Sequence, residues 1–198
     1  MKEEIESKCR SCEKHEETID HLTLGCPNLA KNEFLIREDK VSTHLHFAIC
    51  KALGIETTDK WYTHMPKPVY EEEHVTVLRN QAVNKDREFT VNRQDIIIKN
   101  KKEKISTLID VAVPADRNFV QKEGEKKVKY KSLYIEIKRM WNLKFIIIPV
   151  IIGATGIVTR SLRKNLEDVP GRHSIESLQK KAILGTSHII QKVLQCEP

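Results

Sequence analysis

Residues 96–113 read IIIKNKKEKISTLIDVAV, in which two apolar runs flank a short, highly charged segment. The first run ends at Ile98, and the second extends over residues 105–113. Short β-branched runs joined by turn-forming residues are typical of a β-hairpin. Asp95 adjoins the first run and Asp110 lies in the second, so we expect both carboxylates at one edge of a sheet.

The hydrophobic periodicity around this hairpin predicts further elements. They are a strand at Val75–Leu78, a helix at Asn118–Asn142, a strand at Leu143–Ile152, a short basic helix at Thr159–Leu166 and a final helix at Ser174–Leu194. Gly185 is expected to bend or split the last helix, because glycine costs about 1 kcal/mol relative to alanine there. The order β-β-β-α-β-α-α predicts the α/β class with a small mixed sheet.

The residues before the first strand form two further units. Residues 1–28 are polar and carry cysteines, and a segment this small needs a metal to fold. From Leu29 to Leu53 apolar residues recur every four positions, which predicts a helix. Residues 55–74 look irregular and are interpreted as a linker. We therefore divide the chain into a zinc module (1–28), a helix and linker (29–74), and a mixed-sheet domain (75–198).

The composition indicates a globular intracellular protein. Its 198 residues suffice for one sizeable core and a small appendage, and the net charge of +6 suits a polyanionic partner without requiring one. Five cysteines, three of them at a metal-ligand spacing, favour a reducing compartment, and the start of the chain has no signal-like stretch. The longest apolar run, 145–158, holds 14 residues and is too short to span a membrane.

A second pattern, Cys9-x2-Cys12-x8-His21-x4-Cys26, supplies three thiols and one imidazole within 18 residues. These are ligands that Zn2+ prefers in a closed tetrahedral site, so the site is expected to be structural. His15 is a competing ligand, and we favour His21 because apolar residues flank it. Two further cysteines are expected to be ordinary buried residues: Cys50 and Cys196.

The aspartates of the hairpin and the helix that follows them predict a site of another kind. Two carboxylates a few ångströms apart repel each other unless a cation lies between them, and Mg2+ prefers oxygen ligands and activates water. Three lysines share one face of the helix and would stabilise negative charge: Lys122, Lys126 and Lys129. Glu125 and Glu136 are candidates for extra ligands. The alternative is a solvated helix beside two strand-end aspartates.

The motifs in this order resemble the C-terminal region of non-LTR retrotransposon polyproteins. In that family a CCHC zinc knuckle, located after the reverse transcriptase, is followed by a restriction-like endonuclease of the PD-(D/E)xK type. The resemblance covers nearly the whole chain. It rests on ETIDHL at 17–22, GCPNLA at 25–30, NRQDI at 92–96, IDVAVP at 109–114, KEGEKKVKY at 122–130 and EIKRMW at 136–141. It implies a restriction-endonuclease-like mixed sheet flanked by helices.

The resemblance also implies the roles of individual residues. Asp95 and Asp110 would be the magnesium ligands of an endonuclease that nicks target DNA in the nucleus. The catalytic lysine would be Lys126 or Lys129 of the helix, because Ala112 occupies the usual lysine position. The chain has no reverse transcriptase motif, so we expect a fragment, a decayed copy or a captured domain.

The expected partner is DNA, with RNA as the alternative, and no membrane association is expected. Phosphate contacts are expected from basic residues of the zinc module and of the short basic helix: Lys8, Arg10, Lys14, Arg160, Arg163 and Lys164. Gln94 stands where the family has proline, which leaves a module that binds nucleic acid without cutting it as the main alternative. A zinc-nucleated protein-interaction domain is a third hypothesis.

Overall fold

The computed structural model describes residues 7–79, 83–84, 88–89, 96–141, 144–171 and 173–195. Its strands are β1 (Val69–Glu72), β2 (Val75–Arg79), β3 (Val83–Asn84), β4 (Glu88–Phe89), β5 (Ile96–Asn100), β6 (Ile105–Ala112) and β7 (Lys144–Ile151). Its α-helices are α1 (Pro27–Ala30), α2 (Glu33–Ala52), α3 (Phe119–Trp141), α4 (Arg160–Glu167) and α5 (Ile175–Leu194). The predicted α/β class is therefore confirmed.

Five strands form one mixed sheet in the order β1-β2-β5-β6-β7, while β3 and β4 pair separately. Neighbouring strands of the sheet are antiparallel except β6 and β7, which run parallel. β5 and β6 are the hairpin predicted from residues 96–113, with Ile97 opposite Leu108. β6 is therefore an interior strand, and its Asp110 lies opposite Pro149 of β7.

Helices cover both faces of the sheet, and the side chains of β6 alternate between them because successive strand residues point to opposite faces. Ile109 belongs to the main hydrophobic core. Leu108 belongs to a smaller core that includes Tyr130 of α3. Asp110 reaches α3 as well, through Lys126. The same alternation that buries Ile109 on one side thus directs the carboxylate toward α3.

The main core lies on the other face, against α2, α4 and α5. Val41, Leu45 and Ile49 recur every four residues along α2 and are fully buried. They share a core with Leu162 of α4 and Leu178 of α5. Burial of a side chain of this size contributes about 1.5–3 kcal/mol, so the apolar stripe of α2 holds the helix onto the sheet.

Gly185 of α5 lies against α2. The predicted split is wrong, because α5 continues through this residue. A Cβ atom at Gly185 would lie only 2.6 Å from Cγ of Arg37, so glycine allows the two helices to pack together. Arg37 then donates hydrogen bonds to Thr186 Oγ1 at 3.2 Å and to the Val113 carbonyl at 2.8 Å, which ties α2 to α5 and to the end of β6.

The segment interpreted as a linker contains more structure than its composition indicates. Residues 69–72 form β1, which pairs antiparallel with β2 at the edge of the sheet. A strand of four residues between prolines and an acidic run has too little periodicity to be recognised, and its pairing with β2 decides its conformation. Within the described ranges, no helix combines the length and the apolar character needed to cross a membrane.

Candidate functional site

The four predicted zinc ligands converge near the beginning of the described chain. The ligand atoms of Cys9, Cys12, His21 and Cys26 all lie within 4.8 Å of one another. Cys12 Sγ is 3.3 Å from His21 Nε2, close to the separation of about 3.5 Å that tetrahedral bonds to zinc imply. The group can therefore hold a metal ion, and three thiols with one imidazole suit zinc.

A tight loop presents the first two cysteines. The Cys9 N–H donates to the His15 carbonyl at 2.7 Å, and the Glu13 N–H donates to the Cys9 carbonyl at 2.7 Å. Glu13 has a left-handed φ of 57°, which turns the chain back on itself. Arg10 Nε donates to Glu17 Oε1 at 3.1 Å and closes the base of the loop. These contacts hold the loop that carries Cys9 and Cys12.

The other two ligands come from the π-helical turn His21–Gly25 and from the residue after it. The Cys26 N–H donates to the His21 carbonyl at 2.8 Å, which sets the spacing of the two ligands. A Cβ atom at Gly25 would lie 3.1 Å from His21 Nδ1, so a glycine here leaves room for the imidazole. The His15 ring lies 5.2 Å from the His21 ring but is not in the ligand group, so the geometry favours His21.

The electrostatics of the knuckle partly favour the ligating forms. Burial raises the pKa of the Cys9 thiol, so a metal ion has to displace its proton. Burial opposes ionisation of Cys12 as well, but hydrogen bonds from the backbone N–H groups of Lys14 and His15 outweigh it and lower that pKa. Burial and the neighbouring His15 lower the pKa of His21, which keeps its imidazole neutral.

A buried ion pair is the main feature of the α3 face of the sheet. Lys126 Nζ donates to Asp110 Oδ1 at 2.7 Å. The Asp110 side chain is 0% exposed and that of Lys126 is 10% exposed. Asp110 Oδ2 is buried and has no hydrogen-bond partner among the described residues. A buried ion pair adds little stability relative to apolar residues, and an unpartnered buried oxygen is costly, so this pair is a candidate for a functional role.

Glu38 of α2 lies beside this pair, and the sequence analysis missed it. Its Oε1 accepts a hydrogen bond from the Val113 N–H at 3.2 Å, just beyond the end of β6. Burial is the largest influence on its carboxyl group and raises the pKa, and the nearby Asp110 raises it further. Lys126 and Arg37 act in the opposite direction. Helical spacing could have indicated its position. Glu38 precedes the buried Val41 by three residues and therefore lies on the same face of α2.

A cavity of about 200 Å3 adjoins the ion pair. It is lined by Lys126, Ile147, Pro149 and Asn165. Asn165 belongs to α4, whose predicted phosphate-contacting residues are exposed to solvent: Arg160, Arg163 and Lys164. The structure therefore brings the basic helix to the rim of the cavity that contains the buried lysine. Space of this size accommodates an ion with its waters or a small polar group.

Other predicted site residues lie apart from the ion pair. Lys129 Nζ lies 5.0 Å from the centre of the Tyr130 ring, and Lys122 Nζ donates to Glu125 Oε2 at 3.1 Å near the surface. Glu125 is exposed and belongs to no ligand cluster among the side chains that the structure describes. Three predicted residues lie outside the described backbone or side chains: Asp95, Glu136 and Cys196.

The basic residues of the knuckle have different surroundings. Arg10 forms an ion pair with Glu17 and is partly buried, which also lowers the pKa of Glu17. Lys14 is exposed, as is Lys8, which forms a β-bridge with Glu16. Lys14 is therefore readily accessible to a phosphate, whereas Arg10 would have to leave Glu17 first.

Comparison with known proteins does not identify a family. No protein-family model matches the chain, and no curated protein matches it. The functional interpretation therefore rests on the geometry described above and on the motif resemblance.

We expect Glu38→Gln to stabilise the protein by about 0.5–1 kcal/mol at neutral pH. The pKa of Glu38 is raised, so the folded state loses stability as the pH rises through that pKa, whereas glutamine keeps the hydrogen bond to Val113 without a buried charge. Thermal unfolding measured at several pH values checks this. The difference between variant and wild type should nearly vanish at about pH 4. A variant that is less stable than wild type at neutral pH would contradict it.

Proposed function

We propose that this chain is a metal-dependent DNA endonuclease unit that nicks target DNA and derives from a retrotransposon polyprotein. The observation that carries the proposal is the buried Asp110–Lys126 pair beside a cavity, with one carboxylate oxygen left unpartnered. In this proposal the mixed sheet flanked by helices is a restriction-endonuclease-like fold. The ordered motifs of the sequence support the family, and such a protein would work in the nucleus.

The residues around Asp110 fit a divalent cation. An unpartnered, buried carboxylate oxygen needs a cation or a proton, and a second carboxyl group, that of Glu38, is close enough to interact electrostatically with Asp110. Mg2+ prefers carboxylate oxygens and retains several waters, for which the adjoining cavity has room. Asp95, which directly precedes β5 in the sequence, is the proposed further ligand.

Bound Mg2+ would supply Lewis-acid chemistry and an activated water. The protein residues have separate tasks. Asp110 holds the negative charge that retains the cation, and the Lys126 ammonium, at 2.7 Å, holds the carboxylate in position. Lys126 also lines the cavity, so its ammonium can donate to a phosphate oxygen there and stabilise the charge that develops during cleavage. Glu38, with its raised pKa, is suited to accept or donate a proton.

Two surfaces would hold the DNA backbone. α4 presents Arg160, Arg163 and Lys164 to solvent and contributes Asn165 to the cavity. The knuckle presents basic side chains about the zinc site, of which Lys14 is exposed. Contacts of this kind neutralise phosphates without reading the base sequence, so binding should weaken as the salt concentration rises.

The test is a nicking assay on supercoiled plasmid DNA with the purified chain. Conversion to the open-circular form in Mg2+, and its loss when EDTA is added, would support the proposal. The absence of nicking by a folded, zinc-loaded chain that binds DNA would favour the alternative, a nucleic-acid-binding module without cleavage. One observation favours that alternative: among the described residues, Asp110 is not part of any group of three or more converging metal ligands.

We expect Lys126→Met to reduce single-turnover cleavage by about a hundredfold or more while DNA affinity changes little. The variant should also lose about 3 kcal/mol of stability, because it leaves the Asp110 carboxylate buried and unpaired. Rapid-quench cleavage at saturating enzyme and a binding titration separate the two effects. Lys131→Met, an exposed lysine on the same helix, is the matched control and should cleave normally.

A normal cleavage rate combined with weaker DNA binding would reassign Lys126 to phosphate contact. The double variant Asp110→Asn/Lys126→Met distinguishes stability from chemistry, because removing both charges should restore most of the lost stability without restoring cleavage. Lys129→Met tests the other lysine that the sequence predicted. A larger loss of cleavage from Lys129→Met than from Lys126→Met would overturn the assignment.

A further inference from the structure

A second group of metal-ligating side chains lies in the main core, away from the knuckle and from Asp110. His46 and Cys50 occupy successive turns of α2, and His64 follows the short 3-10 turn Trp61–Thr63. All three residues are buried, with exposed fractions of 0%, 0% and 6%. Their ligand atoms lie within 4.8 Å of one another. Two imidazoles and a thiol thus converge inside a core that is otherwise largely apolar.

The distances within this group approach those of a metal site. His46 Nδ1 is 2.9 Å from His64 Nε2, and Cys50 Sγ is 3.6 Å from His46 Nδ1. Tetrahedral bonds to zinc imply separations of about 3.3 Å between two nitrogens and about 3.5 Å between nitrogen and sulfur. The two nitrogens need to move apart by only a few tenths of an ångström to admit an ion. Cys50 Sγ is also 3.7 Å from His46 Nε2, so the His46 ring has to turn before its Nδ1 lone pair and the sulfur can point to the same ion. The spacing of four residues between His46 and Cys50 puts both on one face of the helix.

Burial and charge favour the ligating form of the two imidazoles but not of the thiol. Burial lowers the pKa of His46 to about 3 and also lowers the pKa of His64, and the buried guanidinium of Arg79 acts in the same direction. Burial raises the pKa of the Cys50 thiol to about 12 and Arg79 only partly opposes this, so a metal ion has to displace the thiol proton. Arg79 Nη2 donates to Asp39 at 2.7 Å, but within the part of the chain that the structure describes the buried Nη1 has no hydrogen-bond partner. An anion at the metal would provide an acceptor for that unpartnered donor.

A cavity of about 560 Å3 reaches the group from solvent. His64 and Tyr70 are among its lining residues. The Tyr70 ring stands 5.4 Å from the His46 ring, so it covers the site from the side of β1. Three protein ligands with access to a cavity match the pattern of zinc sites whose fourth position is exchangeable. Copper fits less well, because Met65, the methionine next to His64, is 86% exposed and cannot be an axial ligand.

We propose that His46, Cys50 and His64 bind a second zinc ion, with a water or a small anion from the cavity as the fourth ligand. This site is independent of the proposed nuclease, since Asp110 and Lys126 are not among its ligands. It would join α2 to the segment that leads into β1. The rival arrangement is a neutral hydrogen-bonded pair of imidazoles beside a core thiol.

Metal analysis of the purified full chain tests the proposal. We expect two zinc ions per chain in the wild type and one in either Cys50→Ala or His64→Asn. His44→Asn is the matched control, since His44 is also on α2 but outside both ligand groups, and it should retain two. One zinc ion per chain in the wild type, unchanged by His64→Asn, would overturn the proposal and support the hydrogen-bonded pair.

Cobalt substitution provides a second readout that does not depend on the folding of a core variant. One of the four cysteine ligands belongs to the second site, so its sulfur-to-cobalt charge-transfer band should be about a quarter of the total and should fill as a separate step. Azide should then shift the visible spectrum of the cobalt in this site. Filling of the knuckle alone would overturn the proposal, and an azide-insensitive spectrum would contradict the open fourth position.

Discussion

Asp110→Asn should abolish Mg2+-dependent nicking, with a loss of at least about a thousandfold in the single-turnover rate. Asparagine occupies the same volume and can still accept the hydrogen bond from Lys126, but it carries no negative charge to hold the cation. The side chain is fully buried, so little solvent can compensate for the lost charge. The measurement is plasmid nicking by wild type and variant at equal, saturating enzyme concentration, with folding monitored by circular dichroism.

The control for this experiment removes a carboxylate of the same chemistry elsewhere. Asp59 is exposed and, as far as the described ranges extend, is not part of a ligand cluster, so Asp59→Asn should cleave like wild type. The Asp110→Asn variant is also expected to bind plasmid DNA with nearly unchanged affinity, because the proposed phosphate contacts lie on α4 and in the knuckle. Nicking that survives Asp110→Asn in a contaminant-free preparation would refute the catalytic site. If Asp110→Asn fails to fold, the nicking assay is repeated with the double variant Asp110→Asn/Lys126→Met. That variant has no unpaired buried charge.

Cys26→Ser should release one zinc ion per chain and unfold the knuckle. Cys26 is fully buried within the ligand group, and serine is a poor zinc ligand. Structural zinc supplies about 10–16 kcal/mol of apparent binding free energy to such modules, far more than the small apolar cluster around it. The measurements are zinc content by mass spectrometry and hydrogen exchange over residues 7–30, where protection should be lost.

The consequences of losing this zinc should reach beyond the knuckle. Leu22, Leu29 and Phe34 pack with Ile189 and Val193 of α5, so the adjoining ends of α2 and α5 should lose part of their protection. The central sheet should stay protected, because its strands contact a separate core. Protection lost throughout the sheet would contradict this division.

Two histidine variants provide the matched comparison for the ligand assignment. His21→Asn should lose the knuckle zinc, whereas His15→Asn should keep it, since His15 lies beside the group without belonging to it. Retention of zinc by His21→Asn together with its loss from His15→Asn would reverse the assignment.

Local pattern was enough to predict most of the secondary structure. The β-branched runs of 96–113 form the hairpin, and the fourfold apolar repeat of α2 is buried in the core. The start of α5 depends on local chemistry as well, since Ser174 accepts a hydrogen bond from the Ser177 N–H at 3.3 Å. These features depend on residues a few positions apart, whose spacing alone directs side chains to one face. The continuous helix through Gly185 could not be predicted in this way. A glycine is needed at this position because Arg37 of another helix packs against it.

The convergence of Cys9, Cys12, His21 and Cys26 could also be predicted from the sequence, because these four residues are close in sequence and their chemistry is distinctive. The Asp110 site could be predicted only in part. Residue spacing predicted three lysines on one face of α3, but it did not indicate which of them contacts Asp110. The packing of α3 on β6 brings Lys126 to the carboxylate. Glu38 could not be placed there from its own surroundings, since its hydrogen-bond partner Val113 is 75 residues away.

The chain alone therefore specified which segments become strands, helices and a metal knuckle, because neighbouring residues suffice for those decisions. The tertiary structure determines which distant side chains come into contact: Glu38 with the end of β6, Lys126 with Asp110, and His64 with His46. Such meetings depend on how buried surfaces pack against one another, and no periodicity within a single segment encodes that packing.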